Sequence, residues 1–261
     1  METTAPPTRR RISYPESDGK PMGETETHRQ ELTDAIETLK DYFRAQPDMY
    51  VGGNMFFYYE RGQTEKSVVP DIFVVRGVEK RRRRIYQLWK EGRSPCVVIE
   101  LTSKSTRRED ERSKPLLYAR LGINEYFLFD PLAEYLTPPL QGFRLSGGSY
   151  IPMVAAAAGG LYSFELELRL VREGNELRFY TPTSGERLLK PYEVAEARRD
   201  AEEQARVERE ARAVAEEQAH VEHTARAVAE EQARVERTAR VAAEEELARL
   251  RAELARLRSN S

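Results

Sequence analysis

Two apolar segments, SVVPDIFVV (residues 67–75) and PCVVIELTSKST (residues 95–106), predict the centre of the fold. Each is typical of a buried strand, because β-branched and aromatic residues fill it with little interruption. Each also contains one acid, Asp71 after Pro70 and Glu100 at the end of the second apolar run. An ionised carboxylate near a core is costly unless it is paired or binds a metal. The two segments therefore predict buried strands that bring two carboxylates together.

The composition confines the compact core to the first two thirds of the 261-residue chain. Large apolar side chains are concentrated between residues 49 and 180 and become rare after Tyr192. Residues 1–22 contain several prolines and arginines but few apolar residues, which predicts a flexible or extended arm. We therefore expect that arm, one globular domain at residues 23–188 and a long charged helix at residues 189–261.

The globular segment mixes helical and strand patterns. Apolar residues at helical spacing predict a helix over residues 25–44, and Pro47 prevents its continuation. A second, shorter helix is predicted at residues 113–121, with Gly122 as its C-terminal stop. Strand patterns occupy residues 49–60, 67–75, 95–102, 126–129 and several short stretches of 142–180. This order predicts a mixed α/β fold rather than a helix bundle.

Beyond Pro191 the sequence becomes a repeat of fourteen residues, which is two heptads. Valines recur every seven residues from Val207 to Val235, and alanine or glutamine alternates three positions ahead of them. Glutamates four residues before arginines, as in Glu208 and Arg212, support a long helix in water. The pattern predicts a coiled coil, as a homodimer; a solitary charged helix is the alternative.

The charge balance excludes a uniformly basic nucleic-acid-binding protein, since the net charge is −2 and the isoelectric point about 6.1. A local basic patch remains at Arg76, Lys80–Arg84, Lys90 and Arg93, and a solvated loop explains it equally well. The single cysteine, Cys96, excludes an internal disulfide and is typical of a reducing compartment. Because no apolar run approaches the ~18 residues of a membrane span, we expect a cytoplasmic protein without membrane contact.

The two carboxylates predict a site for a divalent cation. Asp71 alone could begin a turn and Glu100 alone could pair with an arginine, but their joint position at apolar strands favours function. Phosphodiester hydrolysis needs an oxygen-rich site for Mg²⁺ or Mn²⁺, which neutralises phosphate charge and generates hydroxide from bound water. Two lysines follow closely, Lys104 and Lys114, and an ammonium there would orient or activate the water.

An ordered set of motifs resembles the Uma-type putative restriction endonucleases, a family within the PD-(D/E)XK nuclease superfamily. The motifs are Pro70-Asp71, E-x-T-S from Glu100 to Ser103, Asp110-x-x-x-Lys114 with Tyr118, and LGINEYFLFDP from Leu121. The resemblance covers most of the globular segment and none of the long helix. It implies a restriction-endonuclease-like mixed sheet flanked by helices, and DNA as the substrate.

By this resemblance, Asp71 and Glu100 bind the metal together with the main-chain carbonyl of Leu101. The superfamily usually places its lysine two residues after the second acid, where this chain has Thr102. In this family the lysine comes from the following helix, which points to Lys114.

Two further assignments stay open at this point. Lys104 is a local substitute for Lys114, because Pro115 disfavours helical geometry at the residue before it. Asp110 either orients the lysine or faces solvent. The superfamily also often uses an acid on its first helix, for which Glu31 and Glu24 are candidates.

The sequence therefore predicts a Mg²⁺- or Mn²⁺-dependent DNA endonuclease. Its C-terminal coiled coil would dimerise it, so that two sites address two strands. The alternative is a catalytically silent, nuclease-like binding or scaffolding module that works through its coiled coil. Thr102, in place of the usual lysine, favours this alternative.

Overall fold

The computed structural model describes residues 12–17 and 25–259, with side chains described as far as residue 254. The chain divides into two compact units between Val194 and Ala195. The boundary predicted at residues 188/189 lies shortly before this division. Most of the predicted arm, residues 1–22, falls outside the described residues, and so does Glu24.

The elements of the described chain follow each other in a mixed order. They are α1 (Glu26–Tyr42), β1 (Met49–Gly52), β2 (Phe57–Tyr58), β3 (Ser67–Val68), β4 (Ile72–Arg76), β5 (Tyr86–Gln87), α2 (Leu88–Glu91), β6 (Val97–Leu101), a π-helical turn (Glu109–Ser113), α3 (Lys114–Arg120), β7 (Glu125–Phe129), β8 (Leu140–Ser146), β9 (Ser149–Pro152), β10 (Leu161–Ser163), β11 (Leu168–Glu173), β12 (Glu176–Tyr180) and α4 (Pro191–Ser259). The predicted mixed α/β class is confirmed.

The main sheet has the strand order β1-β4-β6-β7-β8-β9. Strands β6 and β7 are parallel and are joined by the segment that contains α3, whereas the other neighbouring pairs are antiparallel. Parallel pairing requires such a crossover, which is why a helix lies between these two strands. Two smaller sheets, β10-β11-β12 and β3-β2-β5, accompany the main sheet.

Strands β1, β4, β6 and β7 of the main sheet are buried on both faces and almost continuously apolar, whereas β8 and β9 are more exposed. Val74, Ile99 and Phe127 face the core that includes α1 and β11. Their neighbours Phe73, Val98 and Tyr126 belong to the opposite core, with Tyr118 of α3. This alternation is the period of two expected of strands.

The segment 67–75 forms two strands instead of the single predicted strand. Ser67 and Val68 pair in the small sheet with β2, and the main-sheet strand begins only at Ile72. Pro70 has no N–H group to donate to a ladder, so the chain changes sheets at this point. Asp71 consequently lies just before β4 rather than inside it.

The second unit continues α4 to Ser259, and helix is described throughout it. Five valines of this helix are 53–59% exposed: Val207, Val214, Val221, Val228 and Val235. Ion pairs form along the helix, but with different partners from those predicted: Arg212 contacts Glu216 rather than Glu208. An arginine on a regular helix reaches glutamates on both sides of it, and exposed pairs of this kind differ little in energy.

No described helix combines the length and the apolarity that crossing a membrane requires.

Candidate active site

Antiparallel pairing of β4 with β6 places Asp71 beside Glu100. Ile72 lies opposite Ile99, so the residues flanking them meet at one end of the strand pair. The Asp71 N–H donates to Glu100 Oε2 at 3.1 Å, and the Leu101 N–H donates to Asp71 Oδ2 at 2.7 Å. Each strand thus donates to the carboxylate of the other, and the structure brings together the three residues predicted as metal ligands.

The backbone at Asp71 is held from its other side by the turn after β1. The Asn54 N–H donates to the carbonyls of Pro70 and Asp71 at 2.9 and 3.1 Å. A Cβ atom on Gly53 would lie 2.2 Å from the Asp71 carbonyl oxygen, which no side chain tolerates. Because glycine has no Cβ atom, Gly53 permits this close approach of the two backbone segments.

Lys114 completes the cluster from the helical segment that follows β6. Its Nζ lies 2.9 Å from Glu100 Oε2 and 2.8 Å from Asp110 Oδ1. Glu100 and Asp110 are fully buried and Lys114 is 9% exposed. The Tyr118 hydroxyl donates to Glu100 Oε1 at 2.6 Å. Asp110 thus faces the lysine rather than solvent.

A π-helical turn sets the position of Lys114. The backbone N–H of Lys114 donates to the carbonyl of Glu109, five residues earlier. The backbone angles of Lys114, φ −62° and ψ −44°, are helical. The expectation that Pro115 pushes Lys114 out of helical geometry is therefore wrong. Proline removes one N–H donor and crowds the preceding turn of an α-helix. The wider π turn, Glu109–Ser113, occupies the turn that Pro115 would crowd. Turns of this kind are frequent at functional sites.

Two other predicted residues have no described bond to the carboxylate pair, although Lys104 lines the same cavity as Asp71. Lys104 is exposed in the turn after β6, and among the described residues it contacts neither Asp71 nor Glu100. Glu31 is buried on α1 and pairs with Lys190, with Nζ 2.8 Å from its Oε2. Of the two candidate lysines, only Lys114 reaches the carboxylates.

The basic segment after β4 is largely occupied by contacts within the protein. The side chain of Arg83 is buried over the ring of Tyr50, with its guanidinium carbon 4.2 Å from the ring centroid, and pairs with Glu91 at 2.8 Å. Arg81 also pairs with Glu91, at 2.5 Å, and Lys80 donates to carbonyls at the end of α1. Most of this run stabilises the fold, so it is a poor candidate for a phosphate-binding patch.

The comparison with known families decides which group of proteins this is. The family model described as Uma2, putative restriction endonuclease, matches residues 5–187. The chain belongs to the Uma2 family. The resemblance that the motifs suggested is thus confirmed. One similar crystal structure is described as a putative nuclease belonging to DUF820, from Anabaena variabilis. The two sequences are 16% identical, and the structural match covers 51% of this chain and 70% of the Anabaena chain, with a TM-score of 0.38. No curated protein matches the chain.

The acids of this Uma2 site carry more negative charge than their surroundings balance. Burial, and then the charge of Glu100, raise the pKa of Asp71 well above its usual range, although Lys114 and the Leu101 N–H oppose this. Burial likewise raises the pKa of Asp110 to about 6, against the lowering effect of Lys114. A buried acid with a raised pKa is a common feature of functional sites.

Lys114 and Tyr118 are both held in their protonated forms. Burial acts to lower the pKa of Lys114, but the charges of Glu100, Asp110 and Asp71 outweigh it and raise that pKa above its usual value. Burial and the charge of Glu100 raise the pKa of the Tyr118 hydroxyl. Both side chains are therefore hydrogen-bond donors to Glu100, and Lys114 is a cation.

The donor set of this site fits a hard divalent cation. No group of three or more His, Cys, Asp or Glu side chains in the described chain is arranged to hold a metal. Mg²⁺, however, is usually held by one or two carboxylates, with water and substrate phosphate supplying the other oxygens. Glu100 accepts from three donors, and a carboxylate offers about four acceptor positions, so one remains. A cation would also offset the charge that raises the pKa of Asp71.

The motifs identified the carboxylates, Lys114 and Tyr118, but gave no role to two further polar residues near the site. Thr102 and Asp130 are buried, and both line the cavity that contains Asp71. A polar residue directly after a buried strand was the available signal, since Thr102 follows β6 and Asp130 follows β7. Pairing of these parallel strands brings the two residues to the same edge of the sheet.

Proposed function

We propose that this Uma2 protein is a metal-dependent endonuclease that hydrolyses DNA phosphodiester bonds through Asp71, Glu100 and Lys114. Family membership supports a nuclease. The observation that carries the proposal further is the position of Lys114, 2.9 Å from Glu100 although Thr102 occupies the usual lysine position. An oxygen-rich pair beside a buried ammonium is suited to phosphoryl chemistry.

Asp71, Glu100 and the Leu101 carbonyl would hold Mg²⁺ or Mn²⁺. The cation would supply charge neutralisation at the phosphate and a water of lowered pKa. Asp71 is partly exposed and lines a cavity, so it is the acid that solvent and substrate reach. Glu100 lies behind it, fixed by Tyr118 and Lys114.

Lys114 acts in this proposal as a fixed positive charge rather than as a base. Because its pKa is raised, the amine carries its proton and has no lone pair to accept another. It can donate a hydrogen bond to a developing negative oxygen and stabilise that charge. Asp110 pairs with Lys114 at 2.8 Å and is a positioning residue.

Plasmid cleavage tests the proposal directly. Purified protein should nick or linearise DNA in Mg²⁺ or Mn²⁺, and the isosteric variants Asp71→Asn and Glu100→Gln should each lose this activity. Glu60→Gln, at an exposed acid outside the site, is the matched control and should cleave normally. Cleavage that persists in both site variants would refute the proposed chemistry.

The alternative, a silent module, gives a different result in a binding measurement. Calorimetric titration with Mn²⁺ should show binding that Asp71→Asn abolishes if the site is functional. A degenerate site would show no carboxylate-dependent binding and no cleavage. Those two results together would favour a binding or scaffolding function that depends on α4.

Assembly through α4 is the second part of the proposal. Pairing of two copies would bury the exposed valine stripe from Val207 to Val235 and provide two sites for two strands. The stripe is thin, since alanine and glutamine occupy the alternate seam positions. Sedimentation of the full chain over a range of concentrations measures whether the dimer forms.

A further inference from the structure

A cavity of about 460 Å³ lies at the carboxyl ends of β6 and β7, and Asp71 forms part of its wall. The rest of the wall comes from the start of α1, the turn at residues 102–106 and the loop after β7. We call it the carboxyl-edge cavity. Its volume is within the range of about 300–1,000 Å³ typical of small-molecule sites.

Two buried polar residues of this cavity have hydrogen-bonding capacity left over. The hydroxyl of Thr102, a residue 2% exposed, has no hydrogen-bond partner within the described chain. Asp130 is fully buried; its Oδ2 accepts from the N–H groups of Tyr135 and Leu136 at 2.5 and 2.9 Å, whereas its Oδ1 has no described partner. Leaving a buried polar atom unpaired is unfavourable, so these atoms favour a ligand that pairs with them.

The turn after β6 gives the same cavity hydroxyl groups and a cation. The Ser103 N–H donates to Thr106 Oγ1 at 3.1 Å, and the two hydroxyls lie 3.1 Å apart, so these side chains fix the turn. Lys104 is exposed within it. A helical segment begins directly after the turn, and α1 begins at the cavity with Thr25 as its N-cap. Helix starts carry partial positive charge and favour phosphate.

We propose that the carboxyl-edge cavity binds the nucleotide next to the scissile phosphate, an inference that rests on the proposed nuclease function. The phosphate of this nucleotide contacts Lys104 and the hydroxyl of Thr102. Its base lies against Leu132 and Tyr135 and donates an N–H to Asp130 Oδ1. Acceptance of a base amino group by a carboxylate is an established mode of base recognition. Lys104 is thereby a substrate-binding residue rather than the catalytic lysine.

Binding of single nucleotides tests the cavity without any cleavage. The four deoxynucleoside 5′-monophosphates would be titrated into the full chain in Ca²⁺, by calorimetry. Loss of one charge-assisted contact in Lys104→Met should weaken binding about tenfold. Lys66→Met, at a lysine that does not line the cavity, is the control and should leave the affinity unchanged.

Thr102→Val separates binding from folding. Because the hydroxyl has no described partner, valine should leave the unfolding temperature of the free protein unchanged or raise it. The same substitution should weaken nucleotide binding severalfold. A variant that is less stable and binds normally would assign Thr102 a purely structural role.

Asp130→Asn gives the sharpest result, because it exchanges one acceptor for a donor. The asparagine oxygen can still accept from Tyr135 and Leu136, which leaves its amide NH₂ at the position of Oδ1. The preferred base among the four monophosphates should change, and the base preferred beside DNA cleavage positions should change with it. An unaltered preference in both measurements would overturn the proposal.

The outcomes distinguish this proposal from the proposed function. If the protein cuts DNA but Lys104→Met and Asp130→Asn alter neither binding nor base preference, the cavity is not a nucleotide site and the nuclease function stands. If monophosphates bind with the expected variant pattern while DNA is never cut, the nuclease function fails and the site serves free nucleotides. If no monophosphate binds and the salt dependence of DNA binding is the same in Lys104→Met as in the wild type, the cavity proposal fails.

Discussion

Lys114 has two carboxylate neighbours, and this arrangement determines what the residue can do. Its contacts with Glu100 and Asp110 are 2.9 and 2.8 Å long, and all three side chains are buried. A buried charge that loses its partner is strongly destabilising, so each member of this group depends on the others. We therefore expect substitutions at this site to change both the stability and the proposed activity.

Replacement of Lys114 should separate the two candidate lysines. We expect Lys114→Met to reduce the DNA cleavage rate by at least about 100-fold, since it removes the fixed positive charge. It should also lower the free energy of unfolding by about 3–5 kcal/mol, because Glu100 and Asp110 stay buried without their cation. Cleavage kinetics and denaturant unfolding measure the two effects.

Lys104→Met is the matched control at the exposed lysine. It should retain the maximal cleavage rate and the stability of the wild type. Only the DNA concentration that gives half of the maximal rate should rise. A Lys114→Met protein that cleaves like the wild type would show that the catalytic cation lies elsewhere.

Asp110 predicts a particular dependence of stability on pH. Its pKa in the folded protein is raised to about 6, above the ordinary value of 3.8, so the folded state binds a proton that the unfolded state has released. Stability therefore falls as pH rises between these values. Asp110→Asn lacks this titration, so its stability relative to the wild type should rise by on the order of 1–3 kcal/mol from pH 4 to pH 7.5, whatever the lost contact with Lys114 costs at every pH. Urea unfolding of both proteins across that range measures the difference; a difference independent of pH would contradict the prediction.

At the scale of elements, the π-helical turn and α4 are the two helical features on which the proposed site and the proposed dimer depend. The turn places Lys114 next to Glu100. Tyr118 lies about one helical turn further along and donates a hydrogen bond to the same Glu100 carboxylate. In α4 the informative feature is the set of residues that borders the valine stripe. Glu208, Glu222 and Glu236 each follow a stripe valine directly. The arginines four residues after them pair instead with glutamates on their other side: Arg212 with Glu216, Arg226 with Glu230 and Arg240 with Glu244.

These bordering glutamates should weaken the proposed dimer. Two copies in a coiled coil place like charges next to the seam, where they repel each other. We expect the triple variant Glu208→Gln, Glu222→Gln and Glu236→Gln to self-associate more tightly than the wild type at neutral pH and low salt. Sedimentation equilibrium measures the change.

The control for this experiment removes the same number of charges from the outer face of α4. Glu216→Gln, Glu230→Gln and Glu244→Gln should leave the association constant close to that of the wild type. Equal strengthening by both triple variants would indicate a general effect of net charge, and no change in either would argue against a dimer through the valine stripe.

At the scale of the whole molecule, the first turn of α4 is part of the compact unit that contains the site. Lys190 is buried against Glu31 of α1, and Arg178 of β12 pairs with Glu193 at 2.8 Å. These contacts lie before the division between Val194 and Ala195. We therefore expect the first unit to require a few residues beyond the predicted boundary at 188 for its stability.

Two truncations test this requirement. A chain that ends at Val194 should unfold with the stability of the first unit in the full protein. A chain that ends at Leu189 should lose about 3–5 kcal/mol, because Glu31 remains buried without Lys190. Denaturant unfolding followed by tryptophan fluorescence compares them; identical stability of the two truncated chains would show that the Lys190 contact contributes nothing.

The sequence by itself determined the elements whose signals are local. Apolar spacing predicted α1 and the central strands, the heptads predicted α4, and the cost of burying Asp71 and Glu100 predicted that they act together. The order of motifs was enough to identify the Uma2 family.

Only the tertiary structure decided the relations between residues that are distant in the chain. It brought Lys114 rather than Lys104 to the carboxylates, because a π turn and the packing of Tyr118 set the direction of the helix. It split residues 67–75 between two sheets, and it placed Thr102 next to Asp130 through the parallel pairing of β6 and β7. Strand pairing and helix packing depend on contacts across the fold, whose energies no local pattern of residues contains.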